Sequence, residues 1–179
     1  MADLEELYRE IILDHYRSPR NRGELDSPPA HRVEGFNPLC GDEVVVSMVV
    51  SDGKLSDVKI GGSGCSISQS SASLMSAAVK GKPVDEVRRL ISTFKGMMSI
   101  HEANLGPDGV AESNGHGHSH GHGSGAEVVD SEPEEIDLDK LGELAALQGV
   151  VKFPVRIKCA TLSWNALAQG LDEVAAAAS

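Results

Sequence analysis

The chain has 179 residues, carries a net charge of −11 and contains only six aromatic residues, one Trp, two Tyr and three Phe. A length near 150 residues buries roughly 70% of the unfolded surface, so one domain with a sizeable core is expected, built chiefly from Val, Ile, Leu, Ala and Met. The acidic balance argues against nucleic acid and against anionic membrane surfaces, because phosphate binding needs clustered Lys and Arg. Three cysteines are too few, and odd in number, for a secreted disulfide framework. Met1 to Glu10 has neither a basic n-region nor an apolar h-region, so no signal peptide is read there. The longest apolar-rich run, Val44 to Val50, is too short to span a bilayer. A reducing cytoplasm with free thiols is the expected setting.

Residues 3–17 read as a helix, with Leu4, Leu7, Tyr8, Ile11 and Ile12 on one stripe. Asp3, Glu5 and Glu6 occupy its first turn, where the helix dipole favours negative charge. Ser18-Pro19 ends it. Arg17 to Gly23 then forms a small basic island, read as a solvated turn or as a patch for an acidic partner.

His31 to Asn37 suits a short strand, and the β-branched run Glu43 to Val50 a second. Asp52-Gly53 supplies a hairpin turn, and Leu55, Val58 and Ile60 carry the return strand. The first half therefore predicts an antiparallel sheet of about three strands. Gly61-Gly62-Ser63-Gly64 follows as tight backbone, then a helix over 66–80 with Ile67, Leu74, Met75 and Ala78 inward. A second helix follows Pro83, with Val84, Val87, Leu90, Ile91, Phe94 and Met98 as its stripe and Met97 and Met98 as core filler.

From about 106 to 135 the composition turns to His, Gly and acid. Almost nothing there can bury surface, so it reads as a flexible insertion within a single domain spanning 1–179. Its alternating His116, His118, His120 and His122 offer nitrogen donors. The cost of ordering a disordered loop would leave any metal site there weak and unselective. Leu138, Leu141, Leu144, Ala145 and Leu147 mark a short helix ended by Gly149. The final helix holds Cys159 in its first turns, runs to about Leu171 and frays after Val174.

Chemistry gathers at the cysteines. Cys40-Gly41-Asp42 puts a thiol and a carboxylate two positions apart around a glycine, a soft and a hard donor suited to a divalent metal such as zinc. The alternative is a turn with a capping Asp and a half-buried Cys. Cys65 opens a helix, where free backbone N–H groups favour a thiolate. Cys159 is flanked by Arg156 and Lys158. Cys40, Asp42, Cys65 and Cys159 lie in three separate segments, with no local zinc-finger spacing, and Cys159 by itself could equally be a core residue.

Taken together, Cys40-Gly41-Asp42, Gly64-Cys65-Ser66-Ile67-Ser68 and Pro154-Val155-Arg156-Ile157-Lys158-Cys159 resemble the SufU branch of the IscU/NifU N-terminal family of iron–sulfur cluster assembly proteins. Tyr16 to Gly23 looks like that family's end of its first helix, and the resemblance covers 3–103 and 138–172. It implies a compact α+β fold, a three-stranded antiparallel sheet with helices packed on one side. It implies one zinc held by Cys40, Asp42, Cys65 and Cys159. It also implies sulfur acceptance from a pyridoxal-phosphate-dependent cysteine desulfurase of the SufS type, with downstream iron–sulfur scaffold proteins as recipients. The receiving nucleophile would be Cys40, released from zinc when a partner side chain takes its place, with Arg156 steadying the thiolate or persulfide.

The scaffold branch carries His before its last Cys, whereas Lys158 stands here; its Leu-Pro-Pro-Val-Lys chaperone motif is replaced by Phe153-Pro154-Val155-Arg156. Both departures lean toward the zinc-dependent sulfur acceptor and away from a dedicated Hsp70-type chaperone partner. The alternative is a scaffold assembling a [2Fe–2S] cluster on the same Cys and Asp ligands. A third reading is a purely structural zinc.

Overall fold

The computed structural model describes residues 3–102 and 138–178. The expected insertion at 106–135, with its His116–His122 tract, lies outside the described residues. Among the described residues nine elements follow one another: α1 (Leu4–Arg17), β1 (His31–Asn37), β2 (Asp42–Ser51), β3 (Lys54–Ser63), α2 (Ser66–Val79), α3 (Val84–Glu102), α4 (Leu138–Leu141), a 3-10 segment (Gly142–Lys152) and α5 (Pro154–Ala177).

The strands form an antiparallel sheet in the order β1-β2-β3. The β2–β3 hairpin turns on Asp52 and Gly53, both at positive φ (53° and 72°), the backbone that matches the strand twist in a two-residue hairpin. Register places Val33 opposite Val46 and Val46 opposite Ile60. Alternation then sends Val33, Val46, Met48, Val58 and Ile60 to one face, where all are buried. The helices cover that face, and Gly35 permits close approach: a Cβ there would sit 3.2 Å from Leu162 Cδ1 of α5. At the other edge, residues 21–23 run beside β3. Ile60 N–H donates to Asn21 O and Gly23 N–H to Ile60 O, each at 2.9 Å. The basic island therefore docks on the sheet edge instead of lying free in solvent. Its Arg22 donates to Gly62 O at 2.9 Å and to Gln69 Oε1 at 3.0 Å.

Five local expectations change. The glycine run belongs to β3, which continues to Ser63. The stripe of α1 is only partly inside: Leu4 and Leu7 are exposed, Tyr8, Ile11 and Ile12 are half-buried with both isoleucines against the core, and its fully buried residue is His15. The helix α2, serine-rich, is buried nearly all round, and the hydroxyls of Ser70, Ser71, Ser73 and Ser76 find partners within the fold, whereas Ser68 Oγ has none among the described residues. Ser71 Oγ, for example, donates to Ala160 O and accepts from Trp164 Nε1. The short helix before α5 is one α turn, stopped by Gly142 at φ +55°, followed by 3-10 turns through Gly149. The last helix holds to Ala177 without fraying at Val174. Two of the six aromatics enter the core, Phe94 and Trp164, whose rings stack at 4.2 Å and are fully buried.

Candidate metal centre

Asn37 and Asp42 face each other as the last pair of β1 and β2. The connection between them, Pro38 to Gly41, carries Cys40. Asn37 shapes this turn twice. Its Oδ1 accepts from Leu39 N–H at 3.1 Å, and its backbone oxygen accepts from Gly41 N–H at 2.8 Å. Gly41 takes φ +69°, a conformation open to glycine at no Cβ cost. Cys40 is left exposed at the tip.

Asp42 is 1% exposed and lies against the exit of β3. Its Oδ1 accepts the Cys65 backbone N–H at 2.9 Å, and its Oδ2 stands 3.4 Å from Cys65 Sγ. One oxygen is thus spent on the backbone and the other faces sulfur. Gly64 makes room for this: a Cβ there would fall 2.7 Å from Asp42 Oδ1. Cys65 is the N-cap of α2, its sulfur accepting Ser68 N–H at 3.4 Å.

The packing of α5 on β1 and β2 brings in Cys159, wholly buried one turn into the helix. Pro154 starts that helix at a position where no N–H is required. Cys159 Sγ lies 3.5 Å from Cys40 Sγ. One donor atom each from Cys40, Asp42 and Cys159 lie within 4.8 Å of one another. Cys65 joins this trio through Asp42 Oδ2. Three of the four expected ligands, Cys40, Asp42 and Cys159, therefore come together, and Cys65 lies beside them, outside the mutual 4.8 Å spacing but against Asp42.

Donors around a tetrahedral zinc stand about 3.8 Å apart for two sulfurs and about 3.6 Å for sulfur and oxygen, given bond lengths of about 2.3 and 2.1 Å. The Cys40–Cys159 and Cys65–Asp42 separations of 3.5 and 3.4 Å fit that spacing. Electrostatics agree. Burial, reinforced by the neighbouring Cys40, Asp42 and Cys65, pushes the Cys159 thiol well above its ordinary value. Without a cation its proton stays on; with one, sulfur and carboxylate charge is compensated. Arg156 is exposed, and its guanidinium is held above its ordinary value by Cys65 first and Cys159 second. It is a fixed positive charge beside the sulfurs. Asn37 is the residue to which the sequence gives no role beyond ending a strand, although Asn-Pro is a turn signal.

The model of the NifU-like N terminal domain matches residues 7–113. The zinc-dependent sulfurtransferase SufU of Bacillus subtilis is 40% identical over 95% of this chain and 92% of its own length. The iron–sulfur cluster assembly scaffold protein IscU of Streptococcus pyogenes is 32% identical over 98% of this chain and 89% of its own. Among solved structures, a putative iron–sulfur cluster assembly scaffold protein for the SUF system from Fervidobacterium islandicum superposes with a TM-score of 0.69 at 26% identity, covering 94% of this chain and 99% of that one. With the expected three-stranded sheet, its helices on one face and the Cys/Asp cluster at its end, the chain belongs to the NifU-like N-terminal domain family as a SufU-type member.

Proposed function

We propose that this protein is a zinc-dependent sulfur acceptor of iron–sulfur cluster assembly, which takes persulfide sulfur from a pyridoxal-phosphate-dependent cysteine desulfurase of the SufS type onto Cys40. The observation that carries the reading is the asymmetric donor set. Two thiols and a carboxylate, Cys40, Cys159 and Asp42, meet within 4.8 Å, Cys65 stands 3.4 Å from the carboxylate, and Cys40 alone among the thiols is exposed. Cys40, Asp42, Cys65 and Cys159 would hold the metal, with Asp42 offering the single oxygen its backbone contact leaves free. Bound zinc would keep these thiols deprotonated near neutral pH without redox chemistry of its own.

The chain's own residues do the rest. The Cys40 thiolate attacks the outer sulfur of the donor persulfide. A bond forms between Cys40 Sγ and that sulfur, the donor's S–S bond breaks, and the donor cysteine leaves as a thiolate. Cys65, the N-cap of α2, and Cys159, in the first turns of α5, would stay as ligands of a bound zinc. Arg156 places its positive charge where the Cys40 sulfur anion or its persulfide needs compensation. Among the described residues, four of the seven exposed large hydrophobics, Phe36, Leu39, Phe153 and Val155, belong to the two segments that carry Cys40 and Cys159. An apolar rim around an exposed nucleophile suits docking on a protein donor. No described helix is long and apolar enough to cross a membrane, and free thiols suit a cytoplasmic setting with downstream iron–sulfur scaffolds as recipients.

The test is sulfur transfer from a desulfurase to Cys40→Ala. Retained zinc with lost acceptance supports the reading; undiminished desulfurase stimulation by the variant defeats it. A [2Fe–2S] scaffold is the second reading, favoured by the IscU relative and by a sulfur-rich donor set. Colour separates the two, since zinc protein is colourless and a cluster is brown.

A further inference from the structure

We infer that Asn37 is a positioning residue that ties the exposed thiol to the buried one: its carboxamide oxygen holds the turn presenting Cys40, and its carboxamide N–H bonds the Cys159 sulfur, so that Cys159 stays on the metal when Cys40 departs. The inference rests on the metal reading of the site given above.

Asn37 is 6% exposed, so its carboxamide has little water to satisfy it. Such a group pairs inside the protein or costs stability. Its oxygen is taken by Leu39 N–H at 3.1 Å. Its Nδ2 points at Cys159 Sγ across 4.0 Å, a long N–H···S contact. The partner strand adds nothing to the side chain, and the backbone oxygen already serves Gly41 N–H. One planar amide therefore touches both halves of the donor set, the turn of Cys40 on one side and the helix of Cys159 on the other.

The chemistry gives this contact a direction. A thiolate sulfur that accepts an N–H bond is a poorer nucleophile toward an incoming electrophile, and the partner holds that sulfur in its ligating orientation. Cys40 sits in a turn with Gly41 at positive φ and receives no comparable carboxamide donor among the described residues. Two thiolates that share one ion are thereby made unequal. Burial restricts access to Cys159; the Asn37 amide restricts its reactivity as well.

Two variants separate the amide N–H from the turn. Asn37→Asp and Asn37→Ser each keep an oxygen for Leu39 N–H, and neither can donate to Cys159: the first lacks the N–H, the second is too short. The probe is cobalt(II) in place of zinc, read by its sulfur-to-cobalt charge-transfer band, together with metal release to a chelator. Both variants are expected to shift that band to lower energy and to release metal about 10-fold faster, the lower end of the usual cost of losing such a partner. Wild-type bands and rates in both variants overturn the inference. So does a change confined to Asn37→Asp, which would mark added charge instead of a lost donor. Should the wild-type protein itself give no thiolate band with cobalt, the metal reading fails first. Sulfur transfer enters none of these measurements.

Discussion

Cys40 and Cys159 hold sulfurs 3.5 Å apart yet live in opposite mechanical circumstances. Cys40 hangs from a four-residue turn, exposed, on backbone that only a glycine neighbour makes easy. Cys159 is wholly buried in a 24-residue helix that packs against two strands. The contrast teaches that two thiols brought side by side can differ completely in access, and that burial makes the difference.

Removing each thiol in turn is the strongest way to break that comparison. In the metal-free protein, Cys159→Ala should cost roughly 2 kcal/mol by urea unfolding, as loss of packed buried atoms does, whereas Cys40→Ala should stay within about 0.5 kcal/mol. Equal costs would remove the distinction. Gly64→Ala comes next. Its Cβ would press on Asp42 Oδ1, an overpacking worth about 1–3 kcal/mol, with a matching loss of zinc affinity by competition titration. Gly41→Ala meets nothing within 4 Å but must adopt φ +69°. About 1 kcal/mol is expected from strain alone, with Cys40 displaced and metal release to a chelator accelerated.

The smallest effect is on pH. The folded state holds the Cys159 proton more tightly than the unfolded chain, whose thiol ionises near the ordinary value of 9.0. Its stabilising contribution is therefore complete below about pH 9 and is lost as pH rises toward the folded value. Urea unfolding of the metal-free protein across pH 8–10 should show a decline that Cys159→Ala abolishes. A flat profile in the wild type would say that Cys159 is no more protected than Cys40.

The local code was legible where period and turn chemistry agree. The strand at His31–Asn37 and the Asp52-Gly53 hairpin stand where alternation and turn residues put them. Cys65 does open a helix. What misled were cases in which a neighbour overrides composition. Leu4 and Leu7 look like a core stripe but find no covering element among the described residues. The inward set read for α2 leaves out its serines, yet they lie between α1 and α5 with buried hydrogen bonds such as that of Ser73 Oγ with His15 Nδ1 at 2.8 Å. The basic island looked free because nothing in its own residues announces the β3 edge it pairs with.

Sequence by itself determined which residues could ligate. Cys40, Asp42, Cys65 and Cys159 are the thiols and the carboxylate that its motifs pick out, because donor chemistry resides in side-chain type. Only the tertiary structure decided their ranks. Exposure of Cys40, burial of Cys159, the single free oxygen of Asp42 and the reach of Asn37 all arise where β1, β2, the exit of β3 and the start of α5 meet. Such long-range packing sets access, hydrogen bonding and charge, and no local pattern encodes it.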